Sequence, residues 1–308
     1  MKPTEHKYIL ERYKTRASRY TCPHCGRAHC FTRYINGETG QHLAEECGKC
    51  DHESSCGYHY PPRDYFRDHP KGEEEQKLER PVVKLPPAPP PLYMTMPMEY
   101  VTSRMGEDGA LVPWLRSKFQ VDEMVKAVCG QYLIGTTSAG TYQSQPVIFW
   151  YVDADGVVHD GKIMWFKVNG HRDQTRLNWI SHRLVSSGRW PANAKTRKCF
   201  FGEHLLKARP EAVVCIVESE KSALFCALLY PKYLWLATGG CSQLDADLCK
   251  VLKGRRVIFY PDSGQLDKWR KAMEQVSGVE YSFVDYFEKY EPNTDIVDVK
   301  LGEAKFPP

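Results

Sequence analysis

The sequence predicts a multidomain chain: a cysteine-rich β-ribbon at the N-terminus, a middle α+β region, and a C-terminal α/β domain with a parallel sheet. Three observations predict it. Half of the cysteines fall between Tyr20 and Cys56, opening with Cys22-Pro23-His24-Cys25-Gly26. The stretch from Val147 to Phe166 reads as two strands around Asp155-Gly156, a strong turn pair. From Val213 onward, short β-branched runs alternate with helical spacing, which implies βαβ crossovers. With 308 residues, each part has enough chain to bury its own core.

Residues 1–75 form the first expected domain, with 1–19 read as a short basic helix or arm. The C-P-x-C-G pattern is a knuckle in which two thiolates and turning backbone amides surround zinc, the glycine supplying a positive φ. FTRYI before Asn36-Gly37 and the HLAEEC run after Thr39-Gly40 predict the hairpin of a zinc ribbon. Two downstream pairs could close the site, Cys47 with Cys50 or Cys50 with Cys56. His24, His29, His52 and His59 are read as lining or surface residues. Tyr58, Tyr60, Tyr65 and Phe66 alternate with Arg63 and Arg67, a pattern that either stacks single-stranded bases or packs a small core. The start of the chain lacks the apolar stretch of a secretion signal, and no run approaches the ~18 residues of a membrane helix. Twelve cysteines in that setting read as reduced thiols and a metal site in a cytoplasmic protein with no membrane partner. PVVKLPPAPPPL then marks residues 76–92 as an extended proline-rich linker.

Residues 93–211 form the expected middle domain. LVPWLRSKF and VDEMVKAV have helical spacing, Tyr132–Ile134 and Val147–Val152 read as strands, and the hairpin follows. Charge is uneven along the chain. Residues 161–210 carry eleven Lys/Arg against Asp173 and Glu203, and residues 1–35 carry eight against two Glu. Beyond residue 212 the balance turns slightly acidic, twelve against fourteen. Basic flanks around an acidic centre suit a polyphosphate partner.

Residues 212–308 form the C-terminal domain. VVCIV (Val213–Val217) reads as a strand buried on both faces, ending in Glu218, and SEKSALFCALLY turns helical. YLWLA, RVIFY and VEYSFV are the next strands, with SQLDADLCKVL and Asp267–Val276 as helices between them. Acids recur at strand ends: Glu218, Asp262, then Asp295 and Asp298. Carboxylates gathered on one edge repel unless a hard cation with oxygen ligands compensates, and Mg²⁺ or Mn²⁺ fits that description.

VESEKSA, Thr238-Gly239-Gly240, Tyr260-Pro261-Asp262-Ser263-Gly264 and Asp295-Ile296-Val297-Asp298 together resemble the Toprim domain. That metal-binding fold is shared by bacterial primases, topoisomerases and some nucleases. The resemblance implies Glu218 and Asp262 as catalytic metal ligands, with Asp295 and Asp298 beside them. One departure stands out: the family carries Asp-x-Asp after the third strand, and here Gly264 occupies the second position. The N-terminal segment is similar to the zinc ribbon of Toprim-bearing phage and mobile-element proteins, through CPHCG, FTRY, Cys50-Asp51, Glu53 and Cys56-Gly57-Tyr58-His59. That similarity implies Cys22, Cys25, Cys50 and Cys56 as ligands, with Cys30 and Cys47 spare. By analogy with replicative primases, where a basic region precedes the Toprim fold, Lys162, Lys167, His171, Arg172 and Arg176 stand where template and nucleotide would be held. Lys221, one turn into the first crossover helix, is placed to face a phosphate.

The implied function is a DNA primase-like nucleotidyl transferase that binds single-stranded DNA or RNA and nucleotides. Two alternatives use the same residues: an inactive single-strand-binding accessory protein of a mobile element, and a Toprim-type nuclease. No G-x-x-x-x-G-K-[ST] is present, so any helicase would be a separate partner.

Overall fold

The computed structural model describes residues 7–53, 55–69, 91–107, 109–137 and 145–307. The chain divides into two compact units, residues 1–88 and 89–308. Residues 76–90 of the expected linker lie outside the described residues, as does the charged run before them.

The first unit is a four-stranded antiparallel sheet in simple order: β1 (Tyr8–Leu10), β2 (Phe31–Asn36), β3 (Gly48–Cys50) and β4 (His59–Tyr60). Helix α1 (Pro62–Asp68) follows, with proline at its first turn, where a missing N–H costs nothing. Among the described residues of the N-terminal arm, Tyr8–Leu10 is a strand paired with Tyr34–Asn36, Ile9 opposite Ile35, and only Arg16–Ser18 makes a 3₁₀ turn. Leu43 and His42 touch β2 only at isolated points, and its main partner is Gly48–Cys50. That register places Cys50 opposite Phe31 and buries Cys22, Cys30, Cys47 and Cys50.

The second unit holds two four-stranded sheets. Leu92–Tyr93 (β5) pairs in parallel with a later two-residue strand, and α2 (Glu99–Thr102), α3 (Leu111–Phe119) and α4 (Asp122–Gln131) follow. Strands β6 (Gly135–Thr136), β7 (Val147–Val152), β8 (Val158–Phe166) and β9 (Arg172–Trp179) make an antiparallel sheet in sequence order. The expected strand at Tyr132–Ile134 begins instead at Gly135, because Leu133 turns the chain through a positive φ. The Asp155-Gly156 hairpin forms as expected, with Asp153 accepting the backbone amides of Asp155 and Val157. Every residue of β7 is buried, and the pleat divides them. Val147, Phe149 and Tyr151 face one cluster, while Ile148, Trp150 and Val152 face another with Ile180 and Leu184 of α5 (Ile180–Ser186). β10 (Ala194–Lys195) is the partner of β5.

The second sheet is wholly parallel: β11 (Val214–Val217), β12 (Leu234–Ala237), β13 (Arg256–Phe259) and β14 (Glu280–Phe283), in spatial order β12-β11-β13-β14. Its helices are α6 (Glu220–Leu229), α7 (Leu266–Met273) and α8 (Ile296–Leu301). Ser219 caps α6 by accepting the Ser222 amide, and Asp295 caps α8 by accepting the Val297 and Asp298 amides. SQLDADLCKVL forms only a 3₁₀ segment at Leu248–Leu252, because Asp245 Oδ1 accepts the Leu248 amide and starts the turn there. Cys215 and Val217 face the cluster that also contains Phe149, Tyr151 and Leu224, whereas Val214 and Ile216 face Leu248, Trp269 and Met273. Both faces are covered, as a parallel sheet requires. Phe201 pairs with Ala237 and shares the core with Phe149, so the two sheets close on one hydrophobic interior. No helix among the described residues is long and apolar enough to cross a membrane.

Candidate functional site

In the first unit the ligand atoms of Cys22, Cys25, Cys50 and Cys56 all lie within 4.8 Å of one another. Cys22 Sγ and Cys56 Sγ are 3.8 Å apart. A tetrahedron with Zn–S bonds of about 2.3 Å has edges of about 3.8 Å, which the Cys22–Cys56 separation matches, so the four thiols are grouped as zinc requires. Cys47 lies outside the set, its thiol donating to the Tyr60 carbonyl at 3.4 Å. A second group, Cys25, Cys30, Cys50 and His52, shares two of the four thiols. Cys30 donates to the Arg27 carbonyl at 3.1 Å, and burial pushes its thiol up. The Arg27 backbone amide lowers the Cys25 thiol to about 7, toward the thiolate that a metal needs. His24 Nδ1 sits 3.5 Å from Cys56 Sγ, consistent with a lining role.

In the second unit the order of the parallel strands sets the site. The chain runs from β11 out to β12, then returns to β13 on the other side. The crevice beyond the carboxyl ends of β11 and β13 is therefore the switch point at which open α/β sheets bind ligands. Glu218 follows β11 directly and Asp262 follows β13 by three residues, across the Ile216–Phe259 register. Glu218 is buried, and its Oε1 has no hydrogen-bond partner. Burial raises its carboxyl to about 7, with Asp295 adding to the rise and the Asp262 amide and Lys268 opposing it. Asp262 is held well above the usual carboxylate range by desolvation, then by Glu218, Asp295 and Asp298. Asp298 is raised by desolvation and by Asp295, with Lys221 acting the other way. Four acids thus feel one another across this edge.

They do not form a closed cage. Among the described residues only the two cysteine-containing groups bring three or more ligand atoms within 4.8 Å. Asp295 is already committed: Oδ1 accepts the Val297 and Asp298 amides, and Oδ2 accepts the Ser222 hydroxyl at 2.6 Å. Asp298 Oδ2 accepts the Asp295 amide at 3.1 Å, completing the capping box. The orphaned oxygen of Glu218, next to an Asp262 whose ionisation is suppressed by like charge, fits a divalent cation, which relieves both conditions at once.

Gly264 explains the departure from Asp-x-Asp. Its φ is +82°, where a side chain is strained, and its amide donates to Glu288 Oε1 at 3.0 Å. Glu288 thus brings a carboxylate to this loop from a segment that shows no motif in the sequence. Ser263 ties the loop to the chain before α8, its amide donating to the Thr294 carbonyl and its hydroxyl to the Tyr290 carbonyl. Lys268 carries no sequence signal either. Its ammonium donates to Ser242 Oγ at 3.0 Å beside the Thr238-Gly239-Gly240 turn, and it acts on Glu218.

The basic residues singled out in the sequence separate into two kinds. Lys162 is buried in β8, with Nζ 2.9 Å from Glu220 Oε1 and 2.9 Å from the Gly239 carbonyl, while the Tyr151 hydroxyl donates to the same Glu220 oxygen. Its ammonium is used inside the protein and does not reach a solvent phosphate. Glu220, the second acid of VESEK, serves this pair rather than a metal. Lys167, Arg172 and Arg176 are exposed on and beside β9, and Arg176 lies 3.5 Å from Asp173. His171 is 3.7 Å from Glu303. The ammonium of Lys221 stands 5.5 Å over the Trp114 ring and near enough to Asp298 to lower its carboxyl.

A family model described as a domain of unknown function (DUF6371) matches residues 109–263, half of the chain. The chain belongs to this family. The matched stretch runs from α3 through both Glu218 and Asp262, so the DUF6371 region contains the antiparallel sheet, the Lys162–Glu220 pair and the strand ends of the acidic edge. A zinc beta-ribbon finger model matches residues 6–71, which hold the four clustered thiols. None of the curated proteins matches the chain. Among solved structures, the primase fragment of the bacteriophage T7 primase-helicase protein is similar at 13% identity with a TM-score of 0.40, covering 92% of this chain and 95% of that one. The E. coli primase catalytic core is similar at 14% identity with a TM-score of 0.31, covering 62% of this chain and 64% of that one.

Proposed function

We propose that this DUF6371 protein is a primase-like nucleotidyl transferase: a zinc ribbon that holds single-stranded nucleic acid, followed by a metal-dependent centre at the Glu218–Asp262 edge. The observation that carries the reading is the pairing of these two acids at the switch point of a parallel sheet, one with an orphaned buried oxygen. Mg²⁺ or Mn²⁺ would be held by Glu218 and Asp262 with Asp298 outside them, and when bound it would neutralise charge on the reacting phosphates. Asp295 would position rather than ligate, since the cap of α8 and Ser222 occupy both its oxygens. Glu218 would hold the ion or accept the proton of the attacking hydroxyl. Exposed Lys167, Arg172 and Arg176 and half-buried Lys221 would supply cations for template or nucleotide phosphates, whereas Lys162 supports the centre from behind through Glu220. In this reading residues 1–75, 93–211 and 212–308 act as ribbon, phosphate-steering and catalytic parts. The setting would be the cytoplasm, with any helicase a separate protein of the phage or mobile element.

The test is incubation of the zinc-loaded protein with single-stranded DNA, Mg²⁺ or Mn²⁺ and labelled nucleotides. New short strands that vanish in Glu218→Gln and Asp262→Asn, with nucleic-acid binding retained, are the expected result. Shortened template would turn the reading to a nuclease. Neither product would favour a second reading, a binding module without catalysis, which the left-handed Gly264 and the committed Asp295 support.

A further inference from the structure

The face of the antiparallel sheet that carries Ile148, Trp150 and Val152 points away from the core shared with the parallel sheet. Over it opens a cleft of about 630 Å³, within the range of ~300–1,000 Å³ typical of ligand sites. Three arginines line it: Arg104 after α2, Arg183 on α5, and Arg189 beyond α5. Among the described residues no lining residue is acidic.

Several arginines elsewhere in the chain are matched to carboxylates. Arg67 pairs with Asp64, Arg116 with Glu107, Arg176 with Asp173 and Arg270 with Asp267. Among the described residues none of the three cleft arginines has such a pair. Arg104 stacks on the Tyr100 ring, its guanidinium carbon 4.3 Å from the centroid, and donates to the Tyr100 carbonyl at 3.1 Å. Arg189 Nη1 donates to the Tyr100 hydroxyl at 2.9 Å. These contacts orient two guanidiniums without neutralising them. The Arg183 side chain has no hydrogen bond or ion pair among the described residues. Three like charges around one open cleft repel, and a polyanion is the ligand that relieves them. The cleft is too large and open for a single phosphate. Ser103 Oγ accepts from Arg104 Nη1 at 3.1 Å and Thr136 Oγ1 donates to the Pro146 carbonyl at 3.0 Å, so the hydroxyls of the wall hold its shape and the arginines supply its donors.

We infer that this cleft is a second nucleic-acid surface, which holds the phosphate backbone of a single strand on the side of the antiparallel sheet opposite the shared core. The inference rests on the reading that the chain works on single-stranded nucleic acid. It places one anchor for the strand apart from the acidic edge, so that binding and catalysis can be lost separately.

The experiment is fluorescence anisotropy of a labelled oligothymidylate with the full chain, zinc-loaded and free of Mg²⁺, over a range of salt. R183E/R189E is expected to weaken binding by about tenfold or more and to lower the slope of log affinity against log salt by about 1.4, at about 0.7 for each phosphate no longer neutralised. Arg183→Lys should keep most of the affinity, because the point charge remains. Arg270→Glu, at a cation already paired with Asp267, should change little. Arg183→Ala, which removes a side chain with no partner among the described residues, carries the test if the double charge reversal fails to fold. Wild-type binding with an unchanged affinity and slope in the Arg183 and Arg189 variants overturns the cleft and leaves the proposed function standing. A wild type that does not bind single strands at low salt overturns both.

Discussion

Glu218→Gln in the Mg²⁺-free protein should stabilise the second unit at neutral and alkaline pH. The Glu218 carboxyl rises from 4.5 to about 7 on folding, chiefly by burial. At about 1.36 kcal/mol per pH unit, this is a cost of about 3 kcal/mol once the group is ionised. The sign follows from proton binding. The folded protein holds this proton more tightly than the unfolded chain, so stability is highest below pH 4.5 and declines as pH climbs to about 7. Asp262 contributes in the same sense, its carboxyl also raised. Glutamine never ionises and keeps the shape, so E218Q should match the wild type near pH 4.5 and exceed it by about 3 kcal/mol at pH 8. For a unit of this size that is about 6–12 °C in Tm. Some pH dependence should survive, because Glu203, buried between the Phe200 and Ala154 amides, is also raised to about 7. All seven tryptophans lie in residues 89–308, so their fluorescence follows this unit alone in urea or heat. Adding Mg²⁺ at pH 8 should raise the wild-type Tm and leave E218Q nearly unmoved. A wild type whose stability grows from pH 5 to pH 7, or an E218Q no more stable than wild type at pH 8, would refute the reasoning.

Three further outcomes are expected. Cys56→Ser should release zinc to a chromophoric chelator and unfold the first unit while the tryptophan-monitored transition stays put; retained zinc would mean that another thiol replaces it. Lys162→Met should cost about 3–5 kcal/mol by leaving Glu220 charged and unpaired in the interior, and K162M/E220Q should recover much of it; urea midpoints that show no such coupling would discount the pair. Gly239→Ala should destabilise the second unit by about 1–3 kcal/mol, because φ is +81° and the added Cβ would clash with the Tyr151 hydroxyl. An unchanged midpoint for G239A would show that Tyr151 moves aside freely.

Where periodicity carried the information, the sequence was legible. The parallel strands and the Asp155-Gly156 hairpin follow from β-branched runs and turn chemistry, which act over a few residues. The four clustered thiols include the C-P-x-C-G knuckle, whose geometry is equally local. Pairings between distant segments were not legible. Lys162 reads as a phosphate ligand because charge alone says nothing of burial. Its only warning was its place inside VHDGKIMWF, where the neighbouring strand residues are buried. Lys268, on α7, and Glu288, on a 3₁₀ turn, reach the acidic edge only through the tertiary fold, which leaves no spacing to detect. The helix expected over SQLDADLCKVL gave way to a 3₁₀ turn because Asp245 bonds locally to the backbone, a competition that apolar spacing does not register. The strand within residues 1–19 escaped for a different reason: Tyr8–Leu10 is extended only because β2 offers it an edge.

The Lys162–Glu220 pair also bears on how this fold can be divided. Its two charges come from different sheets, and each is tolerable in the interior only while the other is there. The parallel sheet without the antiparallel one would leave Glu220 without Lys162 and the Tyr151 hydroxyl and would strip Phe149 from the shared core. A cut just before β11 therefore parts the acidic edge from the charge and the apolar surface that support it. The family match over residues 109–263 likewise spans the antiparallel sheet and the first three strands of the parallel one as one stretch.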